Sequence, residues 1–402
     1  MVKQTRRQWL ATCVGTGTAA LAGCSSESDD TTTEPDDQGD TSSTALSDDG
    51  GSIGEAGSDE LSSDVWPMAG VDLENTGYHP TATGPTGPVS ERWVFETDGR
   101  IRGGAAIADQ TVYIGSWDSN FYAIDLNDGD QLWSSYRAGS YYSGTPVIRN
   151  DKLFANAGGA IVALERDTGD IEWDTLQYDF SPVGSPTIFS GSLYTNSDDG
   201  DLISIDIGEG EVLSKHNIEG RGTMTTAISE GVLYAVGVPH FVYTVDLDTN
   251  ERLWETEMKG STTGLAIGEN YIYAGVQGSE SILALDPING DIAWEVPVDS
   301  MVYSSISYHS GTLFAGTESG VVCIDTMEES IQWQVPYGGY RGNISLMDDI
   351  LFSGSQSGIH ALHRNDGEEK WNHKIGYVPG EISFSDDVLV AGTREGTVYA
   401  LE

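Results

Sequence analysis

The chain has 402 residues, 63 of them acidic and 19 basic, for a net charge of −44. This balance excludes a nucleic-acid binder, whose phosphate contacts need clustered Lys and Arg, and argues against docking onto anionic lipid headgroups. Acidity spread over a whole chain is a solubility device, and here it resembles the surfaces of proteins from high-salt cells.

Residues 1–24 read as an address rather than a fold. Lys3, Arg6 and Arg7 form a basic start, and Leu10 to Gly23 is a short apolar run, too short to span a bilayer as a permanent helix. The stretch around Arg6 and Arg7 resembles a twin-arginine export signal. Leu21-Ala22-Gly23-Cys24 resembles a lipobox, with Cys24 as the lipidated residue. Residues 25–64 hold 13 acidic residues and no basic ones, a composition that predicts a disordered tether. The expected location is therefore the cell surface, with a lipid anchor in the outer face of the cytoplasmic membrane. Residues 65–402 are long enough for one large domain, with 50 acidic against 16 basic residues. Beyond Cys13 and Cys24 only Cys323 remains, so no disulfide supports this domain and a large core must.

A repeat runs through it. Trp93, Trp133, Trp173, Ser214, Trp254, Trp294, Trp333 and Trp371 are spaced by 40, 40, 41, 40, 40, 39 and 38 residues. Eight residues before each from Trp133 onward ends a recurring motif: Tyr122–Asp125, Val162–Glu165, Ile203–Asp206, Tyr243–Asp246, Leu283–Asp286, Val322–Asp325 and His360–His363. Alternating apolar runs bounded by Gly, Asn, Asp and Ser give strands and no helical period. Four strands in about 40 residues is a propeller blade. An eighth motif, Thr397–Glu402, lacks its tryptophan strand, and Glu91–Glu96 has a tryptophan but no motif before it. Pairing the two closes the ring. The predicted fold is an all-β, eight-bladed β-propeller whose N-terminal strand completes the last blade.

The stretches "FYAIDLNDGDQLW", "IVALERDTGDIEW" and "GTVYALE" resemble the PQQ-type propeller repeat, over about residues 66–402. Trp66–Pro80 resembles the lead-in segment that precedes the first blade in many of its members. The resemblance implies that Trp93, Trp133, Trp173, Trp254, Trp294, Trp333 and Trp371 dock against a glycine of the neighbouring blade. Ser214 departs from that pattern, and its blade is expected to dock more loosely. The family divides into dehydrogenases that hold pyrroloquinoline quinone and calcium, and noncatalytic BamB-like scaffolds. This chain has no Cys-Cys pair and short blades with little loop material for a covered pocket, so the noncatalytic branch is expected, without quinone or calcium.

Other chemistry finds no support in the residues. His360 and His363, at i and i+3 on a strand, point to opposite faces. Asn196–Asp201 offers several carboxylates but lacks the closing bidentate Glu of a calcium loop, and reads as a turn. Asp125-Leu126-Asn127-Asp128-Gly129-Asp130 looks like a cation loop, yet the repeat tolerates His363 at its Asp position and Asn250 at its Gly position. It reads as a blade turn.

One distribution is less ordinary. The segments after the tryptophans cross to the next inner strand and line one mouth of the axial channel. They hold Arg100, Arg102, Arg137, Tyr141, Tyr142, Arg221, Tyr303, Tyr340 and Arg341, a concentration of Arg and Tyr on an acidic body. Such residues make recognition surfaces, and arginine favours carboxylates. The expected function is noncatalytic: a monomeric cell-surface lipoprotein binding a protein or peptide partner through this mouth, touching membrane only by its anchor. The alternatives are a quinone- and calcium-dependent oxidoreductase of alcohols or sugars, and a module that binds an acidic glycan.

Overall fold

The structure, a computed structural model, describes residues 65–82, 84–217, 221–238, 240–336 and 340–402. Eight four-stranded antiparallel sheets account for every named strand. Blades one to seven run in order through residues 106–136, 142–174, 182–217, 221–257, 262–297, 302–335 and 340–373, each pairing its strands in sequence order from the inside out. Blade eight takes three strands from residues 383–401 and its outermost strand from Glu91–Glu96, with Trp93 opposite Ala400 and Phe95 opposite Val398. The ring thus closes as the sequence predicts, and no blade is left short of a strand.

The repeat motif forms the third strand of each blade, and its alternation explains the core. Phe121, Ala123 and their equivalents are buried between sheets, while the outermost strands show a half-exposed pattern. The turn after it is set by an aspartate. The Asp125 carboxylate accepts the amide of Asn127, and Asp206, Asp246, Asp286 and Asp325 repeat the arrangement. His363 does the same work with its ring nitrogen, Nδ1, which accepts from the Asn365 amide at 3.3 Å. Among the described residues no group of three or more His, Cys, Asp or Glu is placed to hold a metal ion.

Neighbouring blades are keyed together through the same turn. Gly129 has φ of 79°, and its missing Cβ leaves room for the indole of Trp93, 2.8 Å from where a Cβ would stand. The indole N–H then donates to the Leu126 carbonyl at 2.8 Å. Trp133, Trp173, Trp254 and Trp333 meet Gly169, Gly210, Gly290 and Gly367 in the same way, each with an N–H to carbonyl bond. Trp294 and Trp371 are buried, but their indole nitrogens have no hydrogen-bond partner among the described residues. The turn position that would face Trp294 holds Glu329, itself at φ of 52°.

The seam after Ser214 is built differently on both sides. Ser214 bonds Ser204 in its own blade, and the facing turn has Asn250 in place of glycine. His216 Nε2 and Asn250 Oδ1, 2.6 Å apart, cross the gap instead of an indole. Replacing His216 with alanine should therefore cost about 1 kcal/mol, the worth of one such bond. The chemical denaturation midpoint against the parent protein measures it.

The lead-in segment forms a belt across one end of the ring. Trp66 exchanges both backbone bonds with Ile107 of blade one. The carbonyls of Pro67, Leu73, Glu74, Thr76 and Gly77 then accept amides from Ile148, Ile228, Ile267, Tyr308 and Leu346, in blades two, four, five, six and seven. Blade eight is reached through Glu381, whose Oε1 accepts the Gly70 amide at 2.9 Å. All these partners except Glu381 lie at the far ends of the inner strands, so the belt closes the axial channel on that side.

Candidate functional site

The other end stays open, and the channel becomes a blind cup of about 300 Å³. Its wall is the row of inner-strand starts: Gly103 and Gly104, Gly144 and Thr145, Gly184 and Ser185, Thr263, Tyr303, Asn343 and Gly380. Its floor is Ala69 and Asn75 of the belt, with Glu381 beside them. Asn75 is fixed there by donating to the Leu265 carbonyl at 2.5 Å.

Glycine is needed in this wall because the inner strands crowd the axis. A Cβ on Gly103 would overlap the Gly144 carbonyl, and one on Gly380 would overlap the Gly103 carbonyl. Two hydroxyls bridge the same ring. Thr145 Oγ1 accepts the Gly104 amide at 3.1 Å, and Ser185 Oγ accepts the Thr145 amide at 2.9 Å. Both sit twelve residues past the tryptophan of the preceding blade.

The Arg and Tyr residues of the mouth separate into two groups. Arg100, Arg102 and Tyr141 are exposed, Tyr141 by 55%. Arg102 lies over the indole of Trp117 with its guanidinium carbon 4.3 Å from the ring centroid, and Tyr141 packs on the same indole at 5.5 Å. Tyr303 and Trp117 line the cup below them. Arg137 and Tyr142 are used internally. Arg137 pairs with Asp174 at 3.4 Å and donates to Ser140 Oγ at 2.9 Å, leaving its side chain 13% exposed. Tyr142 is 1% exposed, packed on Phe121, and burial pushes its hydroxyl up to about 12. The side chains of Arg221, Tyr340 and Arg341 lie outside the described residues, as do Arg6, Arg7 and Cys24.

Two buried carboxyls, one beside the cup floor and one in the belt, were not singled out by the sequence. Burial pushes Glu381 up to about 7; the backbone amide of Gly70 opposes the rise, as does the nearby Trp66 indole, although that N–H does not reach hydrogen-bonding geometry. Asp72 in the belt is also pushed up to about 7, by burial first and by the charge of Glu74 second. Its carboxyl holds both the amide and the hydroxyl of Thr76.

The closed ring, the indole keys and the belted axis define a propeller of the PQQ-repeat class, with one open mouth. A family profile described as "Outer membrane protein assembly factor BamB" matches residues 81–296 and 298–373, and the chain belongs to that family. It is 24% identical over 209 residues to the outer membrane protein assembly factor BamB of Yersinia pestis, covering 48% of this chain and 53% of that protein. The chain thus spans little more than half the length of that relative. Among solved structures, a quinohemoprotein alcohol dehydrogenase from Comamonas testosteroni superposes with a TM-score of 0.73 at 14% identity, over 84% of this chain and 80% of that one. BamB from Moraxella catarrhalis superposes with a TM-score of 0.65 at 15% identity, over 78% of this chain and 98% of that one. At these identities the likeness is one of fold.

Proposed function

We propose that this protein is a noncatalytic, lipid-anchored scaffold of the cell envelope that captures a protein partner on the rim of its open mouth. The observation that carries the reading is the pair Arg100 and Arg102 with Tyr141, exposed together on one face of a domain with three times as many acidic as basic residues. Neither arginine has a carboxylate partner among the described residues, whereas Arg92, Lys152, Arg166 and Lys215 elsewhere are spent on ion pairs. Exposed Arg and Tyr on one rim are the side chains that most often carry binding energy at protein interfaces. The BamB relatives are named as assembly factors, which agrees with a role in holding other proteins.

A quinone oxidoreductase is the rival reading, and the dehydrogenase fold likeness is its support. The cup does not fit that cofactor pair. Calcium takes six to eight oxygen ligands. Glu381 is the one carboxylate on the described lining, with Oε1 taken by the Gly70 amide and Oε2 sealed from solvent.

A photo-crosslinking residue placed at position 141 in living cells should give one discrete adduct with an envelope protein, and the same residue at position 171 on an outer strand should not. Equal labelling from both positions, or none from 141, overturns the scaffold reading. Dye-linked alcohol or sugar oxidation by protein reconstituted with quinone and calcium would overturn it in favour of the enzyme.

A further inference from the structure

The cup behind the mouth has a chemistry of its own, separate from a protein partner on the rim. Among the described residues its lining contains no Val, Leu, Ile, Met or Phe, and the largest purely aliphatic surfaces are Ala69 and Pro379. Its larger apolar surfaces are the rings of Trp117 and Tyr303, and Arg102 covers one face of Trp117. The lining is otherwise rich in hydrogen-bond donors. Thr145 and Ser185 each use an oxygen lone pair to accept a backbone amide, and neither hydroxyl proton has an acceptor among the described residues. Arg102 is held by stacking on Trp117, an interaction of the guanidinium face. Its N–H edge makes no hydrogen bond or ion pair among the described residues and stays available for a bidentate acceptor.

The floor does not cancel this. Glu381 presents its backbone and Cβ toward Gly104, while its carboxyl turns to the belt and the Gly70 amide. The described lining therefore offers one positive charge, several hydroxyl and amide groups, and no exposed carboxylate oxygen. A volume of about 300 Å³ is at the small end of ligand pockets. A multiply charged anion would have to enter a domain carrying a large negative excess, and a single carboxylate meets that field at the least cost.

We infer that the axial cup binds a small hydroxylated monocarboxylate of the sugar-acid class, its carboxylate on the guanidinium edge of Arg102 and its hydroxyls against Thr145 and Ser185. Free sugar acid and the terminal residue of an acidic saccharide present the same group, and the cup accepts either.

Calorimetric titration of the full-length protein with glucuronate, glucose and inorganic phosphate tests the assignment. Glucuronate should bind at one site per chain, at least tenfold tighter than glucose or phosphate. Arg102→Ala should weaken glucuronate at least tenfold, Arg102→Lys should recover part of the loss, and Lys370→Ala on a distant exposed position should change nothing. Thermal melts confirm that each variant is folded, Arg102 being on the surface. A short oligomer ending in glucuronate, compared with the free acid, tells the two sources apart. Equal binding of glucose and glucuronate, tighter binding of phosphate, or unchanged affinity in Arg102→Ala overturns the inference. The crosslinking outcome at position 141 is independent of all of these, so the scaffold and the cup fail or stand separately.

Discussion

Trp66→Ala should lower the stability of the folded domain by about 3–5 kcal/mol, the range for truncating a buried tryptophan. Trp66 is fully buried, packs edge-on against Phe384 at 4.9 Å, stacks near His79 at 5.9 Å, and anchors the belt to Ile107. Its loss removes more than apolar area. The belt starts at this residue, and the carbonyls that follow it satisfy inner-strand amides in five further blades. The variant should therefore become cleavable within residues 66–80 under conditions where the blades still resist protease. Leu132→Ala, on an outer strand and 52% exposed, is the matched control and should change the denaturation midpoint by little. If both substitutions cost the same, the belt does not support the ring.

Glu381→Gln should raise stability at pH 8 by about 2–3 kcal/mol and leave it nearly unchanged at pH 4.5. The carboxyl is pushed from 4.5 up to about 7 in the folded protein by burial. Between those values the native state holds a proton that the unfolded state has released. The unfolded chain thus binds fewer protons there, and stability falls as pH rises through the window, by about 1.4 kcal/mol per unit for one such group. Above pH 7 both states are ionised and the loss is complete. Glutamine keeps an oxygen for the Gly70 amide and carries no charge, so it removes the slope. Asp72, raised to about 7 as well, adds a second slope of the same sign, which Asp72→Asn would remove at the expense of the Thr76 contacts. Midpoints of parent and Glu381→Gln from pH 4.5 to 8 check the sign directly. Parallel curves would show that the carboxyl is not buried as described.

The ring was legible in the sequence because closure imposes a fixed blade length. Trp93 to Trp371 keep time at 38 to 41 residues, and the split eighth motif announces where the ends meet. Even the irregular seam was half visible: Ser214 and Asn250 are two separate lapses in the repeat that face each other in space. The belt's function was hidden for a physical reason. It works through the backbone carbonyls of Pro67, Leu73, Glu74, Thr76 and Gly77, and a carbonyl leaves no mark on residue choice.

The Arg and Tyr side chains expected at the mouth divide in the structure. Arg102 and Tyr141 reach the surface, but Arg137 is claimed by Asp174, 37 positions away on the outer strand of the next blade. Tyr142 opens a strand whose register turns it inward. Neither fact follows from local pattern. The glycines of the cup wall could have been found, since Gly103, Gly144 and Gly184 fall ten or eleven residues past successive tryptophans.

The pairing of Glu91–Glu96 with Thr397–Leu401 joins segments about 300 residues apart, so a growing chain can make it only after blades one to seven have been synthesised. Until residue 401 has emerged, the arc of blades carries two bare strand edges, and each is a template for a second chain. Assembly of this protein is consequently a race between its own two ends meeting and a neighbour arriving first. Dilution during refolding should favour the closed ring, and chains truncated before residue 397 should pair with one another.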